Sequence, residues 1–136
     1  VKALIAIALA AFVGVGVGFV SAGPTPGELM VHNKSHHLAL AANSLWGFPI
    51  TPLPAIVWND VDDWRHAAVA DCDNWTLTVH RPLANYRTDF VLQYLMPHEY
   101  GHFVYCHLHD GYIGREPHGS QWAAYVVQLG GDPSYK

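Results

Sequence analysis

His98-Glu99-Tyr100-Gly101-His102 sets two imidazoles four residues apart in a stretch that reads as helix. Side chains four apart on a helix share one face on adjoining turns. Both rings can therefore grip one Zn2+ from a single surface, at Zn–N distances of roughly 2.0–2.1 Å. Glu99 lies about 100° further round the helix at 3.6 residues per turn. It points beside the cation, where a carboxylate serves as general base on metal-bound water. A chain using this pattern must bury the other faces of the helix and bring a further ligand back to it. The competing reading is two helix-face histidines with a solvated glutamate between them, and ten histidines in 136 residues make such a match easy to meet by chance.

The flanking residues support the helix. Thr88-Asp89 offers a cap and an acidic first turn for the orphan N–H groups and the macrodipole. Apolar Phe90, Val91, Leu92, Leu95 and Met96 follow, then Phe103 and Val104. His109-Asp110-Gly111 closes the run, with Gly111 available for a left-handed position. Pro97 removes a backbone donor and crowds the preceding turn, so a kink or a restart is expected just before His98. Gly101 lowers helix propensity but admits a close neighbour, unless it is neutral surface.

A catalytic zinc site takes three protein ligands and keeps one position open. The metzincin pattern requires a glycine three residues and a histidine six residues after the second ligand. Tyr105 and Leu108 stand there and exclude that class. His107 and His109 fall on other faces of the helix and read as surface or supporting groups. His118 follows Arg115-Glu116-Pro117, after Gly111 and Gly114, sixteen residues beyond His102. That is enough chain to turn back to the metal. Glu116 is the alternative, as a carboxylate ligand.

Pro97-His98-Glu99-Tyr100-Gly101-His102, with Gly114-Arg115-Glu116-Pro117-His118-Gly119-Ser120-Gln121-Trp122 downstream, resembles the SprT-like zinc metallopeptidase family. That family pairs P-H-E-x-x-H with a later P-H-G-x-x-W whose histidine is the third zinc ligand. The resemblance implies that His98, His102 and His118 bind one catalytic Zn2+, that Glu99 is the catalytic acid/base, and that Trp122 is a packing residue carried by the following helix. It also implies a zincin-like minimal peptidase domain, with an N-terminal helix, a small sheet, the H-E-x-x-H helix and a C-terminal helix. The likeness runs loosely from about Gly27 onward. Two departures stand out. The paired C-x-x-C motifs of a zinc ribbon do not occur, and an export-like N-terminal segment means that the DNA association of some members is not carried over.

Val1-Lys2 precedes an apolar stretch from Ala3 to Val20, and Val20-Ser21-Ala22 before Gly23 resembles a small-residue cleavage site. Residues 1–22 are expected to be a signal peptide or an uncleaved membrane anchor. Eighteen apolar residues are short for a span, and Gly14, Gly16 and Gly18 weaken a helix there. Either reading places residues 23–136 outside the cytoplasm, secreted or anchored, and touching a membrane only through that segment. These residues suffice for one domain with one core. The full sequence carries a formal charge of −4, and Arg65, Arg81, Arg87 and Arg115 are scattered. Phosphate-backbone binding needs clustered cations, so nucleic acid is not an expected partner.

Cys72 and Cys106 admit three readings: a disulfide in an oxidising compartment, buried free thiols, or a substitute metal ligand at Cys106. From Gly27 to Trp46 the chain reads helical, with Leu29, Met30, Leu38, Ala41, Ala42 and Leu45 on the apolar face. His32, His36 and His37 lack accompanying carboxylates or cysteines and read as a solvated face. Ala55 to Trp58 is a short strand, and Asn59 to Asp63 is acidic and turn-like. His66 to Ala70 and Trp75 to His80 flank a turn and read as a hairpin, with Trp75, Leu77 and Val79 buried and His80 on the wet face.

The expected architecture is α+β, with a small, mostly antiparallel sheet. Trp75 to His80 is expected at a sheet edge, where an extended peptide or protein substrate can add as a strand. The expected function is zinc-dependent peptide hydrolysis with Glu99 as base; Tyr112, His107 and Arg115 are positioned as oxyanion candidates, but each reads first as structural. A non-catalytic zinc-binding module, closed by a fourth ligand from Cys106, His109 or Glu116, is the alternative. A hydrolase of cell-wall peptides is a third reading.

Overall fold

A capping box opens the first helix, α1 (Pro26–Trp46), in the computed structural model, which describes residues 22–61, 66–110 and 117–134. The expected leader or anchor, the acidic pair at 62 and 63, and Gly111 through Glu116 lie outside the described residues. Thr25 Oγ1 accepts from the Glu28 N–H at 3.2 Å, and a Glu28 carboxylate oxygen accepts from the Thr25 N–H at 2.6 Å. Two orphan donors are thus satisfied. Gly47 ends the helix in the left-handed region at φ 67, its N–H on the Asn43 carbonyl.

The buried face of α1 runs through Glu28, Val31, Ser35, Leu38, Ala39 and Ala42. It differs from the expected apolar face, since Leu29, Met30 and Leu45 are about half exposed. Two polar residues on the true face are paired, which allows their burial. The Ser35 hydroxyl lies 2.5 Å from the Tyr100 hydroxyl. The Glu28 carboxylate takes Arg81 at 3.0 Å. Burial pushes the Tyr100 hydroxyl up to about 12, so it stays protonated.

Three strands follow: β1 (Ala55–Asn59), β2 (Ala68–Asp71) and β3 (Thr76–His80). β2 and β3 form the expected hairpin, with Ala70 opposite Leu77. β1 pairs with β3 in parallel, Val57 opposite Thr78, and the order is β1-β3-β2. Three expectations are corrected here. The sheet is mixed, because the hairpin partner already occupies one side of β3 and β1 takes the other in the same direction as β3. The 75–80 strand is central and not an edge, with Leu77 and Val79 fully buried. His80, expected on the wet side, is buried at the junction with the next helix.

Beyond β3 the chain is helical in pieces: α2 (Arg81–Tyr86), α3 (Thr88–Phe90), a π-helical turn at Val91–Leu95, and α4 (Met96–His109). Thr88 does not cap; its hydroxyl donates to the Ala84 carbonyl at 2.6 Å. The π turn is the form taken by the irregularity expected from Pro97. Proline has no N–H to give four residues back, and the Met96 N–H reaches the Val91 carbonyl, five back. Asp110 ends the helix in the left-handed region at φ 54, with its N–H on the Cys106 carbonyl; Gly111, where that conformation was expected, is outside the described residues. A last helix, α5 (Ser120–Gln128), packs on α4.

The core joins α1, the sheet and α4 through Val31, Leu38, Leu77, Val79, Phe103 and Val104. Cys72 and Cys106 are bonded, which removes the free-thiol and metal-ligand readings. The cross-link spans a sequence separation of 34 and ties the hairpin turn to α4. Restricting an unfolded loop of that length is worth on the order of 3–4 kcal/mol. The chain is thus an α+β domain with a three-stranded mixed sheet, and among the described residues no helix is long and apolar enough to cross a membrane.

Candidate metal centre

His98 and His102 project from adjoining turns of α4, and His118 comes to them from the turn ahead of α5. Their Nε2 atoms form a triangle with sides of 3.2, 3.2 and 3.2 Å. A proton can bridge only one pair of these nitrogens at a time, so the cluster is electrostatically unfavourable without a cation among them. A metal held at roughly 2.0–2.1 Å from each corner of such a triangle makes angles of about 100° with each pair, near the tetrahedral value. The three side chains are close enough to bind one metal ion. The expectation that residue 118 returns to the pair on α4 is met.

Ligation requires neutral imidazole. Burial lowers the His102 pKa to about 3, and the neighbouring His98 and His118 rings push the same way. That ring is therefore ready to ligate at any pH near neutrality.

Trp122 of α5 forms the wall behind the three rings. Its ring centroid lies 4.7 Å from that of His98, 5.5 Å from His102 and 4.7 Å from His118. Its indole N–H donates to the His98 carbonyl at 3.2 Å. Gly101 makes this approach feasible. A Cβ there would stand 2.5 Å from Val126 Cγ2 and 3.0 Å from the Trp122 indole nitrogen. Overpacking costs about 1–3 kcal/mol and outweighs a helix-propensity gain of about 1 kcal/mol. Gly101→Ala should therefore lower the denaturant midpoint and weaken metal binding; an unchanged midpoint would mean that α5 yields freely.

Glu99 sits beside the triangle. One carboxylate oxygen, Oε2, accepts from the Ala70 N–H of β2 at 2.8 Å, and the other, Oε1, is 3.9 Å from His98 Nε2. The residue is only 6% exposed, and burial raises its pKa to about 7 against the opposing pull of the Ala70 N–H. In the metal-free protein the neutral carboxyl contributes stability that is full below the ordinary pKa of 4.5 and is lost as pH rises through about 7. Glu99→Gln removes that loss. Metal-free Glu99→Gln should exceed the wild type by roughly 3 kcal/mol at pH 8, with the difference vanishing at acid pH. Denaturant unfolding of both proteins across pH checks this, and a constant difference would contradict it.

The remaining candidates stand apart. Cys106 is bonded to Cys72. His107 is exposed, its ring 5.7 Å from that of Phe48. His109 Nε2 lies 2.9 Å from the Tyr125 hydroxyl. His32, His36 and His37 are exposed on α1. Among the described residues only His98, His102 and His118 form a group able to hold a metal. Tyr112, Arg115 and Glu116 are outside the described residues. The Ala70 main-chain donor went unanticipated, because a backbone N–H has no signature in residue type.

No protein-family model, curated protein or solved structure matches this chain.

Proposed function

We propose that the chain is a zinc-dependent peptidase of the zincin kind, similar to the SprT-like family, acting outside the cytoplasm. The observation that carries this reading is the triangle of three Nε2 atoms at 3.2 Å with the Glu99 carboxylate beside it. Three imidazoles on a tetrahedral ion leave one position open, the arrangement of catalytic and not of structural zinc. The bond between Cys72 and Cys106 and the contact of His109 with Tyr125 count against the alternative of a closed, non-catalytic site.

Bound there, Zn2+ supplies Lewis acidity, polarising a peptide carbonyl and acidifying a water. The chain itself handles the proton. Glu99 Oε2 is fixed by Ala70, which leaves Oε1 facing the metal side. That oxygen takes a proton from the attacking water as its oxygen bonds to the carbonyl carbon. It returns the proton to the nitrogen as the C–N bond breaks.

β3 is paired on both sides, so under this proposal an extended substrate would add beside β2, the edge strand that touches Glu99. Incubating the oxidised protein with a peptide mixture, with and without chelator, tests the proposal. Cleavage that stops on chelation and returns with zinc is expected; no cleavage by the zinc-loaded protein would contradict it.

A further inference from the structure

β2 fixes Glu99 and lies between β3 and α4, with Ala68 and Ala70 only partly buried against the core. It has four residues, Ala68, Val69, Ala70 and Asp71, and none of them is buried. Among the described residues it pairs along one side only, with β3. Burial of apolar side chains normally anchors an edge strand, and here the two alanines offer little area.

The register shows what Ala70 does. The His80 N–H bonds to the Ala67 carbonyl, and Ala68 stands opposite Val79. In an antiparallel ladder, hydrogen-bonded pairs alternate with non-bonded ones. The bonded pairs are then 67 with 80, 69 with 78, and 71 with 76. Ala70 therefore turns its N–H off the sheet, where its partner is Glu99 Oε2 at 2.8 Å.

Immediately after Asp71 comes Cys72, bonded to Cys106 one turn beyond His102 on α4. The Cys72 sulfur also lies 3.8 Å from the His102 carbonyl oxygen. A covalent link thus joins the strand that fixes the carboxylate to the helix that carries it, two residues from the contact on the strand.

We propose that the Cys72–Cys106 bridge is a positioning element for Glu99: it holds the free edge of β2 against α4, and breaking it uncouples hydrolysis from metal binding. This deepens the peptidase reading and rests on it. The chain would then be competent only where disulfides persist and idle in a reducing compartment. Reduction by a water-soluble phosphine balances simply. The S–S bond breaks, each sulfur gains a hydrogen, and the oxygen of one water ends on phosphorus as the phosphine oxide.

The test compares the zinc-loaded full chain before and after phosphine treatment, with Cys72→Ala/Cys106→Ala as a second route to the open form. Five quantities are read: free thiols, zinc per chain, kcat and KM on a peptide, and hydrogen exchange at the Ala70, Leu77 and Val104 amides. The expected result is zinc retained, kcat down about 10–100-fold with KM little changed. Ala70 exchange should quicken by about 10-fold or more while Leu77 and Val104 keep their protection. Unchanged kcat and Ala70 protection in protein with two free thiols would overturn the proposal. So would equal acceleration at all three amides, or loss of zinc, since either would make the bridge a general brace. If the oxidised protein cleaves no peptide, the peptidase reading fails, and Ala70 exchange still decides whether the bridge positions β2.

Discussion

Glu99→Gln should keep zinc in place and cut peptide hydrolysis by about 10²–10⁴-fold, the range that a positioned acid/base contributes. The substitution preserves shape and can still accept from the Ala70 N–H, because the amide oxygen replaces Oε2 in that 2.8 Å contact. Only proton transfer is lost. The residue contributes no nitrogen to the triangle, so metal content should stay at that of the wild type. Wild-type turnover in the variant would remove Glu99 from the chemistry, and loss of zinc would make it a ligand. Measuring kcat/KM together with zinc per chain separates these outcomes.

His118→Ala should have the opposite signature, with metal lost first and activity as a consequence. Removing even an outer-shell partner of a metal ligand costs about 10–100-fold in affinity, and a direct ligand should exceed about 100-fold. The loss should appear in a zinc competition titration at neutral pH, where His102 is already neutral and proton competition at that ring is small. Glu116→Ala should leave affinity unchanged. The reverse pattern would assign the third ligand to Glu116 and make the 3.2 Å contacts of His118 incidental.

Much of this architecture was legible because it rests on local periodicity. Helical spacing from Gly27 to Trp46 marks α1, which runs from Pro26 to Trp46. Alternation in residues 75–80 and the polar turn before them mark the hairpin. The pair four apart on α4 and the Pro-His-Gly turn marked the three metal-facing histidines. What escaped depended on partners distant in sequence. Ser35 and Glu28 are buried because Tyr100 and Arg81 meet them, so apolar spacing found Leu38 and Ala42 but misplaced Leu29, Met30 and Leu45. The parallel pairing of β1 with β3 has no local signal, since it follows from which side of β3 the hairpin left free. Cys72 and Cys106 could be counted, but their bond is a matter of approach between β2 and α4.

Zinc-edge X-ray absorption on the oxidised, zinc-loaded protein tests the central claim most directly. Three imidazole nitrogens and one further light atom from solvent, all at roughly 2.0–2.1 Å, are the expected first shell. A sulfur scatterer at about 2.3 Å, or fewer than three imidazoles, would contradict the assignment of His98, His102 and His118 as the ligands of an open site.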